Sequence, residues 1–139
     1  MKTLFDTNIL IDYLAGVAEA QTEIERARER LISIVTWMEL LAGARSEEEE
    51  DVLEMFLSDF RVVDVTRRIA REATAFRKTQ RIHLLDAIIW ASARHESALL
   101  VTRNTKDFQP DDCGVRVPYA VTKTAPPRRK ASGRRRASR

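Results

Sequence analysis

Apolar positions recur along the chain in two alternating periods, and each stretch predicts its own element. Lys2–Asp6 reads as a short buried strand that ends in Asp6. Thr7 and Asn8 then open a segment with Ile9, Leu10, Tyr13 and Leu14 at helical spacing, stopped by Gly16. Residues 18–30 are charged and poor in apolar positions, the pattern of an exposed helix. Leu31–Val35 is apolar and β-branched, which predicts a second strand, and Thr36–Ala44 is helical, with a break at Gly43 and Ser46. Glu47–Phe60 opens on an acidic run and then spaces Val52, Leu53, Phe56, Leu57 and Phe60 for one helix face. Arg61–Val65 predicts a third strand, and Thr66–Gln80 a helix with Ile69, Ala73 and Phe76 on one side. Leu84–His95 is an apolar helix, Ala98–Thr102 a fourth strand, and Val115–Val117 a last short one. Strands alternating with helices, with no internal repeat, predict an α/β domain around a mainly parallel sheet.

Composition fixes the class and then complicates the charge. A chain of 139 residues, 44% apolar and 32% charged, has room for one ordinary globular domain. No apolar run approaches the roughly 18 residues of a membrane span, and the aspartates within the N-terminal apolar stretch are unlike a secretory signal. The single cysteine, Cys113, forms no internal disulfide and reads as inert, which fits a reducing, cytoplasmic setting. The net charge of +3 is not shared evenly. Seven of the 24 basic residues lie in 125–139, leaving 17 against 21 acidic residues in 1–124, a net of −4. The body is therefore mildly acidic. The basic C-terminal tail, rich in Arg, Ala, Pro and Ser, has no apolar face to bury and is expected to be disordered. It is suited either to non-specific phosphate contacts or to no dedicated role.

Four acids stand out because their neighbours are apolar: Asp6 in LFDTNIL, Glu39 in WMELLAG, Asp86 in LLDAIIW and Asp107 in RNTKDF. Ionised carboxylates are rarely buried unless paired or bound to metal. Asp6 ends the first predicted strand, Glu39 lies within a turn of the second, Asp86 is in the first turn of its helix, and Asp107 follows a later strand. Sites in α/β sheets form at that strand edge. Each acid also has a plainer reading. Thr36-x-x-Glu39 matches a capping box, Asp86 suits a helix dipole, Asp6 suits an N-cap, and Asp107 suits a turn. If the four converge, their repulsion requires a cation. An all-oxygen set suits Mg²⁺ or Mn²⁺ rather than zinc. His83 and His95 lack partners at zinc-ligand spacing and read as surface or packing residues. The usual nucleotide-binding and serine-hydrolase motifs are missing from the sequence. Such an acidic cluster suits metal-assisted phosphodiester hydrolysis.

These motifs, in order, resemble the PIN domains of VapC-type ribonuclease toxins. The matching residues are Asp6-Thr7-Asn8, Thr36-x-x-Glu39-Leu40 with Gly43, Asp86-Ala87-Ile88-Ile89, and Thr102-Arg103-Asn104-x-x-Asp107-Phe108. The resemblance covers residues 1–118, leaving 119–139 as a basic tail outside the family pattern. It implies a three-layer α/β/α fold with a parallel sheet of about five strands. It implies Mg²⁺ or Mn²⁺ on Asp6, Glu39, Asp86 and Asp107, with Thr7, Asn8, Thr102 and Asn104 supporting those carboxylates and Arg103 meeting substrate phosphate. It further implies endoribonuclease activity, a homodimer and a cognate VapB-type antitoxin. Trp90 departs from the pattern, which has a small residue there.

The leading expectation is thus a Mg²⁺-dependent endoribonuclease toxin. The alternatives are a PIN-like module that binds RNA or protein without cutting, and a PIN nuclease of RNA maturation. Retention of all four acids argues against a degenerate module. The apolar density around Glu39 also predicts a partner docking at Trp37, Leu40 and Leu41, with a buried core face as the competing account.

Overall fold

Alternation along the strands decides how this chain layers. The computed structural model describes residues 1–108, 112 and 114–120. Among them the strands are β1 (Lys2–Phe5), β2 (Glu29–Ser33), β3 (Arg61–Val63), β4 (Leu99–Val101) and β5 (Val115–Arg116). The helices are α1 (Thr7–Leu14), α2 (Ala18–Arg26), α3 (Ile34–Ala42), α4 (Glu47–Leu57), α5 (Arg67–Gln80) and α6 (Leu84–His95). The sheet order is β3-β2-β1-β4-β5 and every pairing is parallel. Leu4 lies opposite Leu31 and Leu100, while Phe5 lies opposite Val101. Leu4, Leu31, Val63, Leu100 and Val115 pack on Ile69 and Ala73 of α5 and Ile89 of α6. Phe5, Ile32 and Val101 pack on Ile9, Leu10, Ile24, Leu40 and Leu57 of α1 to α4. Both faces of the sheet are covered, as a parallel sheet requires, and the expected α/β/α architecture is the one that forms.

Most boundaries follow from local chemistry. Ser46 Oγ accepts from Glu49 N at 3.1 Å and Thr66 Oγ1 from Ile69 N at 3.2 Å, fixing the starts of α4 and α5. The second strand is the exception. It spans Glu29–Ser33 rather than Leu31–Val35, because Ser33 Oγ accepts from Val35 N at 3.0 Å and starts α3 at Ile34. Ile34 and Val35 have strand propensity, but the cap and the burial of Val35 override it. Thr36 therefore sits inside α3, and the capping box expected with Glu39 does not form. Between α5 and α6 only three residues intervene, and Arg81 turns the chain with φ of 60°.

Trp90 packs in the core on the α5–α6 side, stacked on Phe76 at 4.7 Å and edge-on to Phe108 at 5.4 Å. Its Nε1 is buried without a hydrogen-bond partner. The bulk at this position thus fills the space behind the Asp107–Phe108 loop. No helix among the described residues is long and apolar enough to cross a membrane. Cys113 and residues 121–139, most of the expected basic tail, lie outside the described residues.

Candidate active site

The strand order reverses direction between β1 and β4, so their carboxyl ends open a crevice on one edge of the sheet. Asp6 follows β1 directly, caps α1 and is 3% exposed. Three donors hold its carboxylate. Thr7 N and Thr102 Oγ1 each reach it at 2.7 Å, and Asn8 Nδ2 at 3.2 Å. Thr102 follows β4 and is fully buried. While its hydroxyl donates to Asp6, its oxygen accepts from Asn104 N at 3.0 Å and Asn8 Nδ2 at 3.5 Å. Burial pushes the Asp6 carboxyl above the ordinary carboxylate range, the Thr102, Thr7 and Asn8 bonds pull it down, and the Glu39 charge adds to the rise.

Glu39 reaches the crevice from α3. Its Oε1 accepts from Thr7 Oγ1 at 2.6 Å, and Thr7 Oγ1 lies 2.9 Å from Thr36 Oγ1. Thr7 has one hydroxyl proton, which goes to Glu39, so the buried Thr36 hydroxyl donates to Thr7. Sequence reasoning missed this role, because Thr36 read there as a helix cap.

Asp86 lies in the first turn of α6 and Asp107 in the loop after β4. The Asp86 carboxyl is pushed up to about 8, first by burial, then by a hydrogen bond shared with Asp107 and by the charges of Asp6, Asp107 and Glu39. That bond and Asn104 hold Asp107 below the usual range, helped by the charges of His83 and Lys106. Asp86 and Asp107 therefore hold one proton between them. Asn104 Nδ2 donates to Asp107 Oδ2 at 3.3 Å, and Asn104 Oδ1 accepts from the backbone of Lys106 and Asp107. The structure thus brings all four singled-out acids into one electrostatic neighbourhood. Thr7 bonds to both Asp6 and Glu39, Asn8 and Thr102 to Asp6, and Asn104 to Asp107. The plainer readings hold as well for Asp6, which caps α1, and for Asp107, which closes a turn.

Arg103 is differently engaged. Its Nε and Nη2 reach Asp12 at 2.6 and 3.2 Å, and Tyr119 OH donates to the same carboxylate at 2.7 Å. Asp12 and Tyr119 were invisible in the sequence as site neighbours, since 91 and 107 residues separate Asp12 from its partners. The exposed His83 adds positive charge beside Asp107, and His95 is exposed at the far end of α6.

As the side chains lie, no three metal-ligating groups among the described residues surround a common point. Glu39 is turned to Thr7, and Asp86 is turned to Asp107. The donor set nonetheless fits a hard divalent cation, being all oxygen and all carboxylate. A carboxyl pair that holds a proton at neutral pH is where such a cation replaces that proton.

A doubly wound parallel sheet with four acids at its switch point defines the class of this domain. The chain belongs to the PIN domain family, whose model matches residues 3–109. A chain of a toxin–antitoxin complex from Klebsiella pneumoniae is 41% identical, with 86% of this chain and 99% of that one covered and a TM-score of 0.80. A chain of the DNA-bound VapBC from Salmonella typhimurium is 25% identical, with 84% and 96% covered and a TM-score of 0.70. One from VapBC2 of Rickettsia felis, bound to a promoter DNA fragment, shares the fold at 23% identity, with 76% and 90% covered and a TM-score of 0.66. Within the family, the likeness is to the VapC type. No curated protein matches the chain.

Proposed function

We propose that this protein is a Mg²⁺- or Mn²⁺-dependent endoribonuclease, the toxin of a VapBC-type pair. The reading is supported most by the electrostatic coupling of Asp86 to Asp6, Asp107 and Glu39 at the carboxyl ends of β1 and β4. Asp6 is held in place by three donors, so it is the fixed point of the site. Thr7 orients Glu39 against it, and Asn104 orients Asp107 against Asp86. Asp6 and Asp86 would be the central ligands, and Glu39 and Asp107 would complete the set. Held by these carboxylates, a divalent cation would supply a water of lowered pKa and positive charge against that building on the scissile phosphate. The protein's own part is to hold Asp6 fixed by three donors, while Glu39 and Asp86 would turn from Thr7 and Asp107 to join it on the cation. The guanidinium of Arg103 is braced by Asp12 at the rim, with its remaining N–H groups free of that pair for substrate phosphate.

The test is cleavage of single-stranded RNA by the full chain. Activity should vanish in EDTA and return with Mg²⁺ or Mn²⁺, and Asp6→Asn should abolish it without unfolding the protein. Metal-dependent cleavage retained by Asp6→Asn would contradict the reading. A non-cutting module is disfavoured because all four acids are present. A role in RNA maturation is separated by the neighbouring genes, since the toxin reading requires a small antitoxin frame immediately upstream.

An antitoxin needs a surface. Leu40, expected to meet it, is instead buried in the core, and Trp37 and Leu41 are half-buried against it. The exposed apolar side chains nearby are Ile11 and Leu14 of α1, Met38 of α3, and Val52 and Met55 of α4. These helices pack on one another, with Tyr13 stacked on Phe56 at 5.2 Å. We assign antitoxin docking to this face, and a homodimer and a cytoplasmic location complete the reading. Met38→Glu with Met55→Glu should abolish capture of the antitoxin while sparing cleavage.

A further inference from the structure

Charge along α5 runs against what a helix prefers. Arg67 and Arg68 open it, at the positive end of its dipole and with no acid in the first turn, whereas α4 begins with four glutamates. Arg71 follows one turn after Arg67, a like-charged pair that repels. Residues 67–81 hold six basic side chains and one acid, Glu72, which Arg94 of α6 engages at 3.3 Å. The rest of residues 1–120 holds 10 basic side chains against 20 acids. Seven of those ten meet an acid, while Arg67, Arg71, Lys78 and Arg81 are exposed and join no ion pair among the described residues. Cations set against local preference and left without internal partners suit an anion from outside the chain.

These cations form a row that leads to the crevice. Ile69, Ala73 and Phe76 turn inward, and Arg67, Arg71, Thr74 and Lys78 lie on the opposite face of α5, around an open depression floored by Ala70 and Ala75. From Arg67 to Lys78 the row is about 16 Å long. α5 and α6 pack antiparallel, with Glu72 on Arg94 and Phe76 on Trp90, so the last turn of α5 lies beside the first turn of α6, which carries Asp86. Arg77 Nη1 donates to Ile82 O at 3.2 Å and pins the turn between the helices. Arg81 and His83 are exposed on that turn, and the His83 charge acts on Asp107. We propose that the row Arg67, Arg71, Lys78 and Arg81 binds the phosphate backbone of the RNA strand whose scissile bond sits in the crevice. The inference rests on the ribonuclease reading for its substrate. An acidic crevice repels a polyanion, so cations along the path out of it hold what the site itself would expel. Contacts to phosphate position a strand without reading its bases, so the row sets affinity rather than sequence.

The test compares the full chain with two triple variants. One is Arg67→Gln with Arg71→Gln and Lys78→Gln. The other, Arg26→Gln with Arg28→Gln and Arg45→Gln, removes the same charge from exposed positions off the row. Glutamine keeps helix propensity and every position is exposed, so both variants stay folded. Binding of a labelled single-stranded RNA is measured in EDTA at about 50 and 200 mM salt, and cleavage kinetics in Mg²⁺. Each phosphate contact contributes about 0.7 to the slope of log affinity against log salt, so losing three lowers it by about 2. The affinity lost by the row variant should then be about 16-fold greater at the lower salt than at the higher. Its KM should rise while kcat is kept, and the other variant should keep the wild-type slope. An unchanged slope in the row variant overturns the proposal. So does an equal fall in both variants, which would make overall charge the cause. A row variant that binds RNA normally and loses capture of the antitoxin also overturns it, making α5 a protein-docking face. Because binding is read without cleavage, a lowered slope in a chain that does not cut keeps the row and sinks the nuclease reading alone.

Discussion

Thr102→Val is the sharpest perturbation of the site that leaves every carboxylate in place. The change is nearly isosteric, and Thr102 is fully buried, so little but the hydroxyl is lost. That hydroxyl donates to Asp6 at 2.7 Å and accepts from Asn104 N at 3.0 Å. A hydrogen bond to a charged group contributes about 1.5–3 kcal/mol. Against it stands the small gain of burying a methyl in place of a hydroxyl, so the expected net loss is about 2 kcal/mol. For a domain of this size that is a fall of roughly 8 °C in Tm. The larger effect falls on function, because residues that orient a ligand typically govern metal affinity or activity by about 10- to 100-fold. Thr102→Ser keeps the hydroxyl and should retain most of both. The assays are thermal unfolding in EDTA and Mg²⁺-dependent RNA cleavage on the three proteins. A valine variant with wild-type stability and wild-type cleavage would refute the claim that Thr102 holds Asp6 for its work.

Further outcomes follow from the same geometry. Asp86 in the fold ionises at about 8, above its unfolded value, so in EDTA its contribution to stability is full below about pH 4 and is lost as pH rises toward 8. Urea unfolding across that range should show the decline, and Asp86→Asn should remove it while abolishing cleavage. Glu23 is the opposite case. Hydrogen bonding to Arg116, at 2.9 and 3.0 Å, holds it below its usual range, so its stabilisation is present above about pH 4.5 and is lost as pH falls. Glu23→Gln should cost about 1–2 kcal/mol near pH 7, flatten the acid limb of the stability curve and leave cleavage intact. Trp90→Ala should cost about 3–5 kcal/mol and release the Asp107–Phe108 loop, lowering cleavage at temperatures where the protein is still folded.

Much of this was legible in the sequence because the signals are local. The run from Lys2 into Asp6, the glycine stop after α1 and the apolar helix Leu84–His95 are written in adjacent residues, and the alternation of elements implies the parallel sheet. The four acids were detectable because apolar neighbours make a charge conspicuous. What escaped detection depended on partners brought close only by folding. Ser33 starts α3 against the strand propensity of Ile34 and Val35, which no periodicity reveals. The clasp of Asp12 with Arg103 and Tyr119 unites residues about a hundred positions apart. Leu40 and Met38 look alike in sequence, and only the packing of α3 buries one and exposes the other.

The most direct test of the whole account is where a divalent cation binds. Crystals of the protein equilibrated with Mn²⁺ should give an anomalous peak in the β1–β4 crevice, about 2.0–2.2 Å from a carboxylate oxygen of Asp6 and from at least one of Asp86, Asp107 and Glu39. No peak there at saturating Mn²⁺, or a peak only at other acids such as Glu47–Asp51, would contradict it.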